Sequence, residues 1–419
     1  MAPLFTKKFY AACFITVFLV EAVLSLWTGL PYDMQVWFNT GTWMNKGINV
    51  YLPNDHLGYP PLWAFWCSAA VRIFNFFGNN MEIFRLAIKL PLILSQLILA
   101  FAVGEYAKSR FDARKAKKLF LVTLTWSFFF YIGAIWGQID VLSALLTFLA
   151  FYAVASNRTS IGALFLGIAV ALKIYPLITL PAFFAYILKK KGRIEAGKFL
   201  LYSSAFPVVF TLIVFAAFRW DILYLFRTVF YWAPILESKN PIQIQGGCMN
   251  LWSFISLFQI DIAKFWQLRL VWIPFMALTS IYWLKKPMKG ESDLNLSIIS
   301  LYVVFLIAYG WVSEQIFTDP LPFIFLQIIA FYPNRRQFYS LIIIQILVFA
   351  FSATNWGPFI FEPLFARFSP LLLQKIQIMS PATNPTLWNI RGILGLTISA
   401  SLVGFLLLML REPTKKKPK

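Results

Sequence analysis

Charge is scarce in this 419-residue chain, and acid is scarcer than base. Only 13% of the residues are charged, with 37 Lys+Arg against 17 Asp+Glu, while 60% are hydrophobic. Soluble domains carry about 25% charged and about 45–50% apolar residues, so a soluble globular protein is excluded. Three cysteines rule out a disulfide framework. Cys13 and Cys67 lie in apolar runs, and Cys248 reads as accessible from outside. A single histidine, His56, and no metal-type Cys/His spacing leave no zinc module. No Asp-x-Asp pair, P-loop, Gly-x-Ser-x-Gly or zinc-protease motif occurs. Glu291-Ser292-Asp293 is the nearest approach to an acidic pair, and among its lysines it reads as solvated charge.

What is present is a succession of long apolar runs. They fit an all-α, polytopic membrane protein and not barrel strands. The net charge of +20 falls in short clusters between the runs, as in cytoplasmic loops under the positive-inside rule. Nucleic acid is therefore not an expected partner. About twelve spans are expected, with both termini on the basic side and no internal repeat, so 1–419 reads as one domain. The first run, Tyr10–Trp27, follows Lys7 and Lys8 without a small-residue cleavage site and is expected to be a retained span. Three larger outer regions are expected, at 31–83, 219–264 and 353–389. Pro60–Phe77 reads as an interfacial helix, and Ser160–Leu188 as two shortened helices broken near Lys173-Ile174-Tyr175-Pro176.

The polar and Gly/Pro punctuation collects at one side. Asp33, Gly58–Pro61, Trp136–Asp140, Lys173–Pro176, Gly246–Asn250 and Glu314-Gln315 all fall at the expected outer ends of spans. Asp33 either favours the N-terminus of a helix opened by Pro31 or carries chemistry. Lys173, in apolar surroundings, either snorkels or meets an anion. Asp140 either caps its helix or meets a substrate. Glu82, Arg85 and Lys89 share one helical face, either as a phosphate site or as an internal Glu82–Arg85 pair. Glu314-Gln315 lies between two spans, and His56 reads as a solvated loop residue.

Several of these stretches together resemble GT-C glycosyltransferases, and most closely the polyprenyl-phosphate-mannose-dependent mannosyltransferases of glycosyltransferase family 87. They are Asp33, Gly58-Tyr59-Pro60-Pro61-Leu62, Trp136-Gly137-Gln138-Ile139-Asp140 and Leu172-Lys173-Ile174-Tyr175-Pro176-Leu177. Gly246-Gly247 through Asn250-Leu251-Trp252, and Glu314-Gln315 with Leu321-Pro322, are similar to later parts of the pattern. The resemblance implies a polyprenyl-phosphate sugar donor, a lipid or glycan acceptor and inverting transfer. By it Asp33 is the base, Lys173 and Arg85 meet the donor phosphate, and Tyr59, Gln138, Asp140, Tyr175, Asn250, Glu314 and Gln315 position sugar or acceptor. No metal or other cofactor is expected, because the first outer loop has no second acid until Asp55. A secondary transporter with a broken helix and a non-catalytic subunit of a glycosylation complex are the rival readings. The tail Lys416-Lys417-Pro418-Lys419 fits an endoplasmic-reticulum retrieval signal, whereas few cysteines and no usable outer sequon fit a prokaryotic plasma membrane.

Overall fold

The structure is a computed structural model that describes residues 7–52, 57–226, 247–258, 270–310, 312–378 and 384–411. Asp55, His56, Gln245, Gly246 and the lysine-rich tail lie outside the described residues. Those described form helices and their connections, without a strand among them. In hydrocarbon each backbone N–H and C=O needs a partner within its own segment, which a helix supplies.

Among the described residues, seven helical stretches are long and apolar enough to cross a membrane: Lys8–Trp27, Met81–Arg110, Ala113–Trp136, Arg193–Phe218, Glu291–Ala308, Arg335–Ala353 and Thr386–Leu410. About twelve were expected. The remaining expected spans are shorter helices, such as Asp140–Ala155, Thr159–Leu172 and Leu180–Lys191. At 12 residues, the last rises only about 18 Å, less than the roughly 30 Å of a hydrocarbon core.

The first helix, α1 (Lys7–Trp27), leads into α2 (Pro31–Asn45). The expected outer loop thus begins as a helix. Pro31 supplies the φ angle that its first position favours, and Asp33 lies in its first turn. Next comes α3 (Leu62–Phe76), the expected interfacial helix. Trp63, Cys67, Val71 and Phe74 are buried, while Phe65, Phe76 and Phe77 are exposed. The two helices touch at Gly41, where a Cβ would lie 2.3 Å from the Cys67 carbonyl oxygen. Only glycine permits that approach.

Then follow α4 (Met81–Arg110), α5 (Ala113–Thr125) and α6 (Ser127–Phe130), the last continued by a π-helical turn, Tyr131–Trp136. α1 and α4 run antiparallel. Thr28 meets Lys89 near one end, and Phe14 packs on Phe101 toward the other. After α7 (Asp140–Ala155) and α8 (Thr159–Leu172), the chain turns extended at Lys173. A 3₁₀ turn over Tyr175–Thr179 then leads into α9 (Leu180–Lys191), and Gly192 separates α9 from α10 (Arg193–Phe218). The break expected at Lys173–Pro176 is there, for the expected reason: Pro176 disfavours α-helical backbone before it.

The basic ends of the helices are tied together. Lys115 donates to the Ala330 carbonyl, and Lys189 to those of Trp283 and Lys286. Glu291 is not free solvated charge. It pairs with Arg110 at 3.0 Å and accepts from Tyr106 Oη at 2.6 Å. Asp293 accepts from the backbone of Lys289 and Gly290 at the start of its own helix. Cys248 is buried rather than accessible.

Candidate active site

Three elements distant in sequence converge on the Asp33 carboxylate. Its Oδ2 accepts from Trp136 Nε1 at 2.8 Å and from Gln138 Nε2 at 2.6 Å. Gln138 is itself held, because Tyr59 Oη donates to its Oε1 at 3.0 Å. Tyr51 Oη in turn donates to the Tyr59 carbonyl at 2.9 Å. This chain fixes the Gly58–Pro61 turn over the carboxylate.

The π-helical turn aims Trp136 and Gln138. Single π turns inside helices are frequent at functional sites. Gly137, directly between the two side chains, has φ +93°, and a Cβ there would meet Lys89 Cε at 2.8 Å and Met34 Cε at 3.1 Å. Lys89 supports the turn from behind. Its ammonium donates to Thr28 O at 2.8 Å, Thr28 Oγ1 at 3.1 Å and Ile135 O at 3.0 Å, which joins α1 to the turn. Its three N–H groups are thereby committed to the protein.

Beside Asp33 lies a buried ion pair. Lys173 Nζ sits 2.6 Å from Asp140 Oδ1, with side-chain exposures of 2% and 0%. The ammonium also lies over the Tyr59 ring at 5.4 Å and the Tyr175 ring at 5.0 Å. Asp319, fully buried, acts electrostatically on the same pair. Burial pushes the Asp33 carboxyl up to about 6, against the opposing pull of Trp136, Gln138 and Lys173. A carboxyl at that value titrates near neutrality, where general bases work best.

The other expected site residues are distributed as follows. Arg85, at the start of α4, donates to the Leu26 carbonyl at 3.4 Å, and Glu82 pairs with Arg367 rather than with Arg85. Glu314 is buried in a 3₁₀ turn and accepts from Asn355 Nδ2 at 3.2 Å; Asn355 accepts in turn from Arg391 at 3.3 Å. Burial raises the Glu314 carboxyl to about 7, with Asn355 and Arg391 opposing. Gln315 is half-buried with its amide oxygen unpartnered among the described residues. Asn250 is committed to the backbone. Its Nδ2 donates to the carbonyls of Leu306 and Tyr309, and its Oδ1 caps Trp252 N.

The packing thus joins Asp33, Tyr59, Gln138, Asp140, Lys173 and Tyr175 into one cluster. Glu314 belongs to a second polar network with Asn355 and Arg391. Sequence reasoning missed Asp319, Asn355 and Arg391, and gave Trp136 no role. Asp319 had a readable signal, since an acid just before the apolar run Pro320–Tyr332 is costly without a purpose. Among the described residues no three His, Cys, Asp or Glu side chains are grouped to hold a metal ion.

The sequence model of glycosyltransferase family 87 matches residues 57–312, more than half of the chain. The chain belongs to glycosyltransferase family 87. It is a multi-pass membrane glycosyltransferase. The span matched to the family takes in Tyr59, Arg85, Gln138, Asp140, Lys173, Tyr175 and Asn250, whereas Asp33, Glu314 and Gln315 lie beyond its two ends. No curated protein matches the chain.

Proposed function

We propose that this glycosyltransferase moves a hexose, with mannose the expected sugar, from a polyprenyl-phosphate donor to a lipid or glycan acceptor at the outer or lumenal face. The observation that carries the reading is the carboxylate of Asp33, aimed by Trp136 and Gln138 and set beside the lysine at a helix break. A sugar on a lipid phosphate already has its leaving group, so one in-line displacement with inversion suffices. Asp33 takes the proton of the acceptor hydroxyl as the new C–O bond forms. The anomeric C–O bond breaks toward phosphate, and Lys173 stabilises the charge left on it.

Lys173 is held in place by its pairing with Asp140, where a donor phosphate shares it. Arg85 serves as the second cation, and its Nε has no partner among the described residues. Tyr59, Gln138, Asp140 and Tyr175 position the sugar. Glu314 and Gln315 face the acceptor, with Asn250 supporting from behind through its backbone bonds. The whole chain acts as one domain in the plasma membrane of a prokaryote or the endoplasmic-reticulum membrane of a eukaryote. The exposed aromatic face of α3 lies against the prenyl tail.

The test is transfer of radiolabelled mannose from synthetic polyprenyl-phosphate mannose by membranes holding wild type or Asp33→Asn. Host lipids and glycans serve as the acceptor pool. Product from wild type that vanishes in the variant supports both donor and base. Equal product from both removes Asp33 as the base. No product from either, with other prenyl-linked hexoses also tried, favours a transporter or a non-catalytic subunit.

A further inference from the structure

Two adjoining cavities at the basic end of the bundle are lined by none of the residues clustered around Asp33. The first, of about 290 Å³, is lined by Lys286, Asp293, Gln337 and Arg411 among others. The second, of about 440 Å³, is an apolar groove between the helices Arg335–Ala353 and Pro385–Leu410, walled by residues such as Ile344 and Phe405. Arg411 lines both, so the polar cavity opens onto the groove at that side chain. Ligand pockets commonly measure about 300–1,000 Å³, and the two together fall within that range.

The chemistry of the polar cavity selects its occupant. Two cations, Lys286 and Arg411, stand against one carboxylate, Asp293, which already caps its helix through the backbone of Lys289 and Gly290. The cavity is therefore net positive. Gln337 is only 5% exposed; its Nε2 donates to the Leu408 carbonyl at 3.0 Å, while its Oε1 has no partner among the described residues. A buried acceptor without a donor is costly. A phosphodiester has no O–H and would leave it unmet, whereas a headgroup hydroxyl would satisfy it.

We propose that these cavities form a binding site for an anionic glycerophospholipid with a hydroxylated headgroup. Its phosphodiester lies between Lys286 and Arg411, the headgroup hydroxyl donates to Gln337 Oε1, and one acyl chain follows the groove. Basic pockets between membrane helices bind anionic headgroups in this manner. The groove faces outward, where a chain can enter from the bilayer: Ile343 and Leu407, which line it, are 56% and 55% exposed.

This lipid is distinct from the sugar donor. Lys115, in the first turn of α5, bonds to Ala330 close to the polar cavity, whereas Trp136, which bonds Asp33, ends the same stretch. Ala113–Trp136, broken at Trp126 and closed by the π turn, holds the two at its opposite ends.

Native mass spectrometry of the purified full chain in detergent tests the proposal. The probes are phosphatidylglycerol and phosphatidylcholine of identical acyl chains, with inorganic phosphate as competitor. Wild type is expected to retain phosphatidylglycerol preferentially, and Lys286→Gln with Arg411→Gln to lose roughly thirtyfold of that preference. Gly404→Leu is the second variant. A side chain there projects from a position with no atom within 4 Å of its Cβ, so it fills the groove without displacing the protein. It is expected to weaken lipid retention while elution and melting temperature stay unchanged. Equal retention of the two lipids by wild type would overturn the proposal without any variant. So would an undiminished preference in the charge variant. Displacement by inorganic phosphate, with Gly404→Leu silent, would make this a free-phosphate site and overturn the lipid reading.

Discussion

Lys173 and Asp140 form a 2.6 Å ion pair from which solvent is almost wholly removed. The pair joins the extended residue after α8 to the first residue of α7, so a charge interaction stands where the helical hydrogen bonds stop. Removing one partner of a buried pair leaves the other uncompensated, at a cost of about 3–5 kcal/mol. Lys173→Met and Asp140→Asn are each expected to lower the melting temperature in detergent. Lys173→Met with Asp140→Leu is expected to regain much of the stability and none of the transfer activity. A double variant as unstable as the sum of Lys173→Met and Asp140→Leu measured singly would show that the two residues do not act as a pair.

Asp33→Asn is expected to lower the transfer rate by about 10²- to 10⁴-fold, the range for loss of a general base. In wild type the base must be unprotonated to accept the hydroxyl proton. Because burial lifts the Asp33 carboxyl to about 6, kcat/KM is expected to rise with pH through that value and level off above it. A pH–rate profile of wild-type membranes checks this, and a flat profile from pH 5 to about 8 would contradict it.

Trp136 and Gln138 pull the Asp33 carboxyl down by donating to its ionised form. Trp136→Phe or Gln138→Leu is therefore expected to move the acid limb to higher pH as well as slow the reaction. Tyr59→Phe frees Gln138 Oε1 and removes one hydrogen bond of about 1 kcal/mol. It is expected to cost roughly fivefold in rate. A rate loss without movement of the limb in Trp136→Phe would assign Trp136 a packing role alone.

Gly137→Ala is expected to be among the most damaging small substitutions. It places a side chain at φ +93° and brings a Cβ within 2.8 Å of Lys89 Cε. Lys89 cannot yield readily, because its ammonium is fixed on Thr28 and Ile135. The left-handed backbone alone costs roughly 1–2 kcal/mol, and the displaced turn carries both donors to Asp33. Thermal unfolding and transfer rate, measured together, separate instability from misplacement of the site.

Asn250→Ala is expected to act through stability. It strips a partner from the carbonyls of Leu306 and Tyr309 and removes the cap from Trp252 N. Buried groups left unmet cost about 1–3 kcal/mol. A variant of unchanged melting temperature but lost activity would return Asn250 to a direct role at the sugar.

The residue order by itself determined the class of solvent and hence the secondary structure. Long apolar runs in a membrane can only be helical, and Pro176 after Lys173 had to break one of them. It also gathered the polar residues at one end, because the basic loops marked the other. Asp33, Lys173 and Gln138 could thus be singled out as candidates, with their roles implied by the family resemblance. Their pairing could not. The contact of Asp33 with Trp136 and Gln138 spans more than 100 residues and depends on a π turn that shifts the register of the helix by one residue. Asn250 was a site candidate because its stretch resembles the family pattern at an expected outer end, whereas only packing could show that its amide bonds the backbone of Leu306, Tyr309 and Trp252. Asp319 reaches the Lys173–Asp140 pair for the same reason. Helix propensity acts along the chain, whereas the burial of a charge is decided by which side chains the folded bundle brings across it.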